Sequence, residues 1–454
     1  MLARSASGEN DLDLLVSRAE VQRFTEILFR LGFKEARLSA DKQLPGVLDY
    51  YGYDSEADRW VHVHAHYQLI LGDDMTKNYR LPIERPYLES AIQESRLVGF
   101  KIPAPEFEFV VFVMRMILKH STWDAMFSFQ GALSISEKKE LAYLTTLANP
   151  IYVQALLKQH LPFVNVALFD NCVQSLQPDC PIWFRIKVGQ QLQNRLKAHA
   201  RRPQISDIWL KLWRRGSRGI RKYIFKYSPR KRLASGGAII AVVGGDGAGK
   251  STAVDEIYAW LSKNFLATKI HLGKPPRSLS AFAIKGILKV GRLLGFFSNK
   301  KAANAKPPEL SWLLWHVLTA RDRYRAYLKA RRFATNGGVV ICDRYPLPQI
   351  KLMDGRRASQ FGNTGQTNRL IRFLVKLENK FYQNLMSPDL LIVLKVDPEI
   401  AVQRKLDEDT NLVRMKCREI WELDWQQTSA HVIDAGQSRA EVLSEIKSLI
   451  WSKL

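Results

Sequence analysis

The sequence has few cysteines and no long apolar runs. Its four cysteines among 454 residues form no C-x-x-C pair, so reduced thiols are expected rather than disulfides. It contains no run of about 18 apolar residues, which excludes a membrane-spanning helix, and it begins without an apolar segment of signal-peptide length. We therefore expect a cytoplasmic protein. Its cysteines are Cys172, Cys180, Cys342 and Cys417.

Acidic residues are also scarce relative to basic ones. The chain has 44 Asp and Glu against 68 Lys and Arg, which gives a formal net charge of +24. Such a surface attracts anions, whether nucleotides, nucleic acid or an acidic membrane. The apolar content of 46% is typical of globular proteins, and the length predicts two or three domains.

Three regions differ in pattern. Residues 1–194 mix strand-like runs with helical segments, which predicts an α+β domain. Residues 195–232 contain fourteen Lys or Arg and one acid, Asp207, with aromatic residues interleaved, and they predict a basic amphipathic connector. Residues 233–454 alternate apolar strand runs with helical patterns, which predicts an α/β domain with a parallel sheet flanked by helices.

A glycine-rich stretch, GGDGAGKST, fits the pattern G-x-x-x-x-G-K-[ST]. An apolar run at 238–243 precedes it and helical spacing follows, and strand, loop and helix is the order that this phosphate-binding motif requires. Glycines let backbone N–H groups surround an anion, the lysine reaches the outer phosphates, and the serine hydroxyl binds magnesium. The predicted phosphate-site residues are Gly244, Gly245, Asp246, Gly247, Ala248, Gly249, Lys250, Ser251 and Thr252.

An acid and an arginine, Asp343 and Arg344, follow the strand-like run at 339–342. Ligands of parallel sheets lie at the carboxyl ends of strands. An acid there can hold magnesium or accept a proton, and an arginine can clamp a phosphate with two parallel hydrogen bonds. The alternative is an ordinary surface ion pair.

Arginines and a small-residue turn mark the last part of the chain. Arg404, Arg414 and Arg418 follow the strand-like run at 390–396. Cations on a mobile lid stabilise the charge of phosphoryl transfer, although the same arginines could form a solvated helix face. The turn of HVIDAGQS, at Ala435 and Gly436, could bracket a purine base.

These motifs together resemble thymidylate kinases. GGDGAGKST, CDRY, PDLLIVLKVDPEIAVQRK and VIDAGQS occur in the order and approximate spacing of that family, over residues 235–454. The resemblance implies a P-loop NTPase fold and a magnesium-dependent phosphoryl transfer from ATP. It implies that Lys250 and Ser251 bind the ATP phosphates and magnesium, that Asp246 faces the acceptor, and that Arg344 grips the acceptor phosphate. It also implies lid roles for Arg404 and Arg414 and an adenine site after Asp434.

The acceptor side departs from the family. A stacking aromatic and a base-binding arginine are expected in F-x-x-x-R, but Arg323 would pair with Thr319 and Arg321 with Val317. HLGKPPR replaces the family's R-E-P-G-G, and PLPQIKLMDGRRASQFGNT replaces its serine- and glutamine-containing helix. We expect an acceptor other than thymidylate: a sugar phosphate, a glycan end or another nucleotide.

Two basic segments leave a second function class open. The connector and the helical pattern at 278–301 could dock on an anionic membrane at the inner leaflet, or they could pack internally. Nucleic acid is a weaker candidate partner, and a homodimer also stays open. In this alternative the chain is a non-catalytic ATP-binding adaptor.

The N-terminal region contains Asp11 and Asp13 in the strand-like run DLDLLV. Two acids at i and i+2 point to the same side of a strand and can share a divalent metal. The pattern resembles polymerase-beta-like nucleotidyltransferases, although the Gly-Ser turn of that family is missing, and it implies a degenerate domain of that type. His62, His64 and His66 alternate onto one face of another run, where they could bind zinc or form a polar face.

Overall fold

The structure, a computed structural model, describes most of the chain. The described residues are 11–39, 42–93, 101–123, 133–223, 230–276, 310–350, 352, 355–357, 369–405 and 409–454. The chain forms two compact units. The first contains residues 1–52 and 60–229, and the second contains residues 53–59 and 230–454.

The first unit contains a mixed sheet in the order β1-β4-β3-β2. Strands β1 and β4 are parallel, with Asp13 opposite His64 and Leu15 opposite His66, whereas β2 and β3 are antiparallel. Helix α1 follows β1 and contributes Leu28 to the apolar core with Tyr50 and Val63. The elements are β1 (Leu12–Leu15), α1 (Val21–Arg30), β2 (Lys34–Arg37), β3 (Val47–Asp54) and β4 (Arg59–His66).

The rest of the first unit is mainly helical, with two small antiparallel strand pairs, β5–β6 and β7–β8. Helix α3 lies at its centre: nine of its sixteen residues are buried, as expected of a helix that is apolar nearly all round. The elements are β5 (Leu69–Leu71), β6 (Tyr79–Leu81), α2 (Glu84–Glu89), β7 (Ile92–Gln93), β8 (Lys101–Ile102), α3 (Pro105–His120), α4 (Ile135–Leu147), α5 (Pro150–His160), α6 (Val166–Ser175), α7 (Ile182–Arg195) and α8 (Gln204–Tyr223). Two 3-10 turns span Arg18–Glu20 and Lys197–His199.

The second unit is built on a five-stranded sheet, entirely parallel, in the order β11-β12-β10-β13-β14. Every residue of β10 is buried, which explains its unbroken apolar sequence. Strand β10 has β12 on one side and β13 on the other, so the order of strands reverses beside it. Open α/β sheets bind their ligands at such a switch point, outside the carboxyl ends of the strands.

Helices and strands alternate along the second unit as the sequence predicts. The elements are β9 (Arg232–Leu233), β10 (Ile239–Gly244), α9 (Lys250–Ser262), β11 (Ala267–His271), α10 (Leu310–Thr335), β12 (Val339–Asp343), α11 (Arg369–Gln383), β13 (Leu390–Lys395), α12 (Pro398–Gln403), α13 (Thr410–Glu422), β14 (Ala430–Asp434) and α14 (Arg439–Lys453). The predicted α/β class with a parallel sheet is confirmed for this unit.

Of the two basic segments, the structure describes most of the connector and none of the segment at 278–301. Most of the connector at 195–232 is helix α8, which lies in the first compact unit. The segment at 278–301 lies outside the described residues. Among the described helices, none combines the length and the apolar composition needed to cross a lipid bilayer.

Candidate active site

The loop between β10 and α9 has the backbone geometry of an anion cradle. Gly247 and Gly249 have positive φ angles of 85° and 78°, a region that L-residues with side chains rarely adopt. A Cβ atom on Gly247 would lie 2.7 Å from the Ala401 carbonyl oxygen. Because α9 begins at Lys250, its unpaired N–H groups and the positive end of its dipole lie at this loop.

Lys250 is buried at the start of α9. Its side chain is 6% exposed, and its Nζ donates to the Gly245 carbonyl oxygen at 2.5 Å and lies 3.9 Å from Asp246 Oδ1. Burial lowers the pKa of Lys250 to about 8, although the Asp246 charge opposes the shift. A buried ammonium group with one backbone carbonyl and one distant carboxylate beside it gains strongly from an anionic ligand.

Asp343, at the end of β12, lies beside the loop. The register of β10 and β12 places it opposite Val242, and Ser251 Oγ donates to its Oδ2 at 3.4 Å. Its other oxygen, Oδ1, is buried and has no hydrogen-bond partner in the part of the chain that the structure describes. A buried carboxylate oxygen without a donor, next to a serine hydroxyl, fits a hard cation such as Mg²⁺, which prefers oxygen ligands.

Asp246 gathers three cations in the middle of the loop. Arg344 Nη2 donates to its Oδ1 at 3.0 Å, and Lys416 Nζ donates to its Oδ2 at 2.7 Å. Burial raises the pKa of Asp246, but the Lys416 hydrogen bond and the charges of Lys250 and Arg344 outweigh this effect, so the pKa lies below its usual value. Asp246 is therefore ionised at neutral pH, and it positions basic side chains around the loop.

Arg344 has a strained backbone. Its φ angle is 59°, in the left-handed region that a non-glycine residue adopts at a cost of about 1 kcal/mol or more. Arg344 directly follows the buried strand β12, and from there its side chain reaches Asp246. The structure places Arg344 directly after β12 and beside the glycine loop, and its role there stays a prediction.

Lys416, in α13, is a site residue that the sequence analysis missed. Val413, Cys417 and Ile420 form the buried stripe of that helix, and Cys417 Sγ donates to the Asp246 carbonyl oxygen at 3.0 Å. Helix α13 thus packs directly on the glycine loop. Lys416 lies closer to the buried stripe than Arg414 does, and this periodicity is the signal that could have identified it.

The predicted lid arginines lie apart from this cluster. Arg414 forms two hydrogen bonds with Glu399, at 2.7 and 2.9 Å, on an exposed surface. Arg418 lies 3.8 Å from Glu422 and is also exposed. Helix α13 therefore places Lys416, rather than either arginine, against Asp246.

Arg404 lies at the turn predicted to bracket a base. Its Nη1 donates to the carbonyl oxygen of Ala435 at 2.9 Å. The turn itself is closed by Asp434, whose Oδ1 accepts from the Gly436 N–H at 2.7 Å. The structure thus brings together Arg404, Ala435 and Gly436 at the carboxyl end of β14, while Arg414 lies elsewhere.

The acceptor side contains a buried arginine, Arg323, in α10. It donates to the carbonyl oxygens of Leu272 at 2.6 Å and Gly273 at 3.1 Å, and also to the hydroxyl of Tyr382. These contacts fasten the segment that follows β11, where the HLGKPPR sequence lies. Burial, with the charges of Arg357 and Arg323, lowers the pKa of nearby His316 to about 4, so its imidazole is neutral at pH 7.

Comparisons with known proteins agree with this geometry. Residues 242–446 match the thymidylate kinase family model. The C-terminal half therefore carries a thymidylate kinase-like domain. The family match lies in that half alone, and the nucleotidyltransferase resemblance of the N-terminal half stays a prediction.

Similar proteins include both named and uncharacterised relatives. The chain is 27% identical over 220 residues to "Uncharacterized ATP-binding protein YghR" of Escherichia coli strain K12, which covers 47% of this chain and 86% of that protein. It is 28% identical over 215 residues to "Uncharacterized ATP-binding protein YghS" of the same strain, and this match covers 45% of this chain and 89% of that protein. It is 28% identical over 227 residues to "Thymidylate kinase" of Prochlorococcus marinus strain AS9601, covering 47% and 95%.

Proposed function

We propose that the second unit is an ATP- and magnesium-dependent phosphotransferase of the thymidylate kinase-like type, with an acceptor other than thymidylate. One observation carries this proposal: the glycine loop, the buried Lys250 and an Asp343 oxygen with no hydrogen-bond partner among the described residues converge at the carboxyl ends of the adjacent strands β10 and β12. Phosphate binding requires the first two groups, and a magnesium ion fits the third.

The phosphate site would use the loop backbone and Lys250. The N–H groups of residues 245–250 and the N-terminus of α9 would hold the phosphate oxygens, and the Lys250 ammonium would neutralise their charge. Ser251 Oγ and Asp343 would hold magnesium directly or through water. When bound, the ion would neutralise charge on the phosphates during transfer.

The cations around Asp246 would act on the transferred group. In phosphoryl transfer, the acceptor oxygen forms a bond to the γ-phosphorus while the bond to the bridging oxygen of ADP breaks, and negative charge spreads over the phosphoryl oxygens. Arg344 and Lys416 are held in place by Asp246, so they are oriented before the charge develops. We assign the grip on the acceptor phosphate to Arg344, and a lid role to Arg404 and Arg414.

The nucleotide base would lie against the turn after β14. Gly436 has no side chain that would block the approach of a planar ring, and Ala435 has only a methyl group. Arg404 is hydrogen-bonded to Ala435, so its planar guanidinium group borders the same turn. Guanidinium groups stack favourably on aromatic rings, which supports this placement of adenine.

The acceptor is proposed to be a sugar phosphate, a glycan end or a nucleotide other than thymidylate. The resemblance puts Thr319 at the position of the family's stacking aromatic residue if Arg323 is the base-binding arginine, or Val317 if Arg321 is, and neither side chain can stack on a base. Arg323 is engaged with the backbone of Leu272 and Gly273, which suits a structural role at the acceptor loop.

A screen of acceptors with γ-labelled ATP tests this proposal. Purified full-length protein with magnesium should transfer label to one acceptor class and much more slowly to thymidylate. Lys250→Ala should lower the rate of transfer by at least roughly 100-fold, whereas Lys263→Ala, at the exposed end of the same helix, should leave it intact. Turnover of thymidylate at roughly 1–100 per second would contradict the acceptor assignment. ATP binding without transfer to any acceptor would favour the non-catalytic adaptor instead.

A second proposal is peripheral contact of a cytoplasmic protein with the inner, anionic membrane surface through α8. Ile205, Trp209 and Trp213 lie on one face of that helix and are 73%, 71% and 74% exposed. The surrounding segment has fourteen basic residues and one acid. Lys211, by contrast, is buried in an ion pair with Asp207, which fixes the opposite face of the helix.

Not every basic residue of the segment is available for lipid. Arg214 donates to the Met75 carbonyl oxygen and Arg215 to Asp73, both within the first unit. A basic residue of the segment that reaches an anionic surface would contribute on the order of 1 kcal/mol, a contribution that salt weakens. Trp209→Ser with Trp213→Ser should reduce co-sedimentation with anionic vesicles at low salt. Tyr152→Ser, which alters an exposed aromatic residue of α5, is the matched control. Equal, negligible binding of the native protein to anionic and neutral vesicles would overturn this proposal.

A further inference from the structure

The first unit contains a cluster of metal-ligating side chains that the phosphotransferase does not use. Parallel pairing of β1 and β4 brings Asp13 beside His64 and His66. The two histidines alternate onto the same face of β4, two residues apart. One ligand atom from each of these three residues lies within 4.8 Å of the other two.

The three ligand atoms form a triangle of the size that a transition-metal ion requires. His64 Nδ1 lies 2.9 Å from Asp13 Oδ1, His66 Nε2 lies 3.2 Å from His64 Nδ1, and His66 Nε2 lies 3.7 Å from Asp13 Oδ1. In a tetrahedral zinc site with bonds of about 2.0–2.1 Å, two ligand atoms are separated by about 3.3 Å. The observed distances lie on both sides of this value.

Hydrogen bonding alone accounts poorly for this arrangement. A ring nitrogen carries at most one proton, and His64 Nδ1 faces both the Asp13 carboxylate and His66 Nε2. If His64 Nδ1 carries a proton, it can donate that proton to the Asp13 carboxylate. His66 Nε2, which approaches the same nitrogen, then has no second proton or lone pair to bond to. A cation at the centre would instead accept a lone pair from each of the three atoms.

A second layer of side chains supports the ligands. Asp49 Oδ1 lies 3.8 Å from His64 Nε2, on the side of the ring away from Asp13. The same oxygen contacts His62 Nε2 at 2.9 Å, and His62 Nδ1 lies 2.9 Å from Asp11. Carboxylates that hydrogen-bond to a ligating histidine fix its tautomer and ring orientation, whereas at 3.8 Å the Asp49 carboxylate acts on His64 through its charge alone. His62, for which the sequence left zinc binding or a polar face open, therefore belongs to this outer layer, and Asp13 completes the triangle with His64 and His66.

We infer that Asp13, His64 and His66 form a binding site for a zinc-class divalent transition metal in the first unit. Two imidazoles and one carboxylate favour Zn²⁺, Co²⁺ or Fe²⁺ over Mg²⁺ and Ca²⁺, which prefer oxygen ligands. Three protein ligands leave at least one coordination position for another donor. The Asp13 side chain is 70% exposed, so the open position takes water or an anionic group of a ligand from solvent.

A cobalt titration of the full-length, tag-free and chelator-treated protein, without nucleotide, tests this site. Co²⁺ should bind with one equivalent per chain and produce visible d–d absorption, and zinc should displace it, whereas millimolar magnesium should not. His66→Ala should weaken binding by more than about 100-fold, beyond the usual effect of an outer-layer residue. His431→Ala, in β14, should bind cobalt as the native protein does.

Two further variants test the metal site even if His66→Ala does not fold. Asp13→Asn changes an exposed side chain with little change in shape, so it reports on the site even if His66→Ala fails to fold; it should also weaken cobalt binding by more than about 100-fold. Lys250→Ala should retain the bound cobalt, which separates this site from the nucleotide site. Absence of stoichiometric cobalt binding to the native protein, or unchanged binding in both His66→Ala and Asp13→Asn, would overturn the inference.

Discussion

Two aspartates show how the units use a carboxylate differently. Asp246 in the second unit is buried and faces two lysines and an arginine, which are cationic at neutral pH. Asp13 in the first unit is largely exposed and faces two imidazoles, which can be neutral and can donate lone pairs. Cations around an acid prepare a surface for phosphate, whereas neutral imidazoles prepare a site for a metal ion. The side chains around each carboxylate thus decide which ligand its site can hold.

The largest expected effect comes from removing the buried cation of the phosphate site. Lys250→Ala should cut turnover with the identified acceptor by at least roughly 100- to 1000-fold, as for other groups that stabilise transition-state charge. The variant should keep its fold, since α9 retains its other buried residues. Steady-state kinetics and circular dichroism measure the two outcomes, and normal turnover would show that the loop does not hold the donor phosphates.

The next effect concerns the tight backbone of the loop. Gly247→Ala puts a side chain at a positive φ angle and within 2.7 Å of the Ala401 carbonyl oxygen. Gly236→Ala is the matched control, because its φ angle is 100° but no atom lies within 4 Å of the added Cβ. Both should lose about 1–2 kcal/mol of stability to backbone strain. In urea unfolding, Gly247→Ala should lose more free energy of unfolding than Gly236→Ala, and it should also lose ATP binding. Equal losses in the two variants would show that the loop can move to accommodate the added methyl group without cost.

Lys416 provides a direct test of the cluster around Asp246. Lys416→Met should lower the free energy of unfolding by about 1–3 kcal/mol, because a buried carboxylate loses a charged donor. Arg418→Met, two residues further along α13, removes only an exposed ion pair and should change stability by less than about 0.5 kcal/mol. Urea denaturation measures the free energy of unfolding of both variants. Similar small decreases in the two would show that Lys416 does not stabilise the Asp246 cluster.

The pKa of Lys250 predicts a pH dependence for nucleotide binding. In the free protein Lys250 loses its proton as the pH rises through about 8, so an added anion then meets a neutral amine. ATP affinity should be highest below this pH and should fall by roughly tenfold for each pH unit above it. Lys250→Arg keeps its charge throughout this range and serves as the control. A flat profile for the native protein between pH 7.5 and 9.5 would contradict the assignment.

Arg414 should have the smallest effect on stability. Arg414→Ala breaks an exposed pair with Glu399, and such pairs contribute little to stability because solvent screens their charges. A lid role predicts a lower kcat with an unchanged melting temperature. An unchanged kcat would leave Arg414 as part of the solvated face of α13.

In the second unit, the features that depend on neighbouring residues were predictable from the sequence, whereas those that depend on long-range contacts were not. The run before Gly244 and the helical spacing after Ser251 are set by neighbouring residues, so strand, loop and helix were predicted with nearly correct bounds. Lys416 is 170 positions from Asp246, and only the packing of α13 on the loop brings them together. A sequence with three basic residues in one helix does not say which of them turns inward.

The same limit applies to the first unit. Alternation correctly placed His62, His64 and His66 on one face of a strand, and β4 is that strand. The partner strand and its register were not predictable, yet they decide that Asp13 joins His64 and His66. A shift of one residue in this register would turn Asp13 to the opposite face.

Calorimetric titration of magnesium–ATP into the full-length protein tests the central claim most directly. The account predicts saturable binding with one equivalent per chain, abolished by Lys250→Ala and retained by Lys263→Ala. It also predicts that the native protein binds ATP more weakly when magnesium is removed, because Ser251 and Asp343 then lack their ion. Absence of binding to the native protein, or equal binding to Lys250→Ala, would contradict the account.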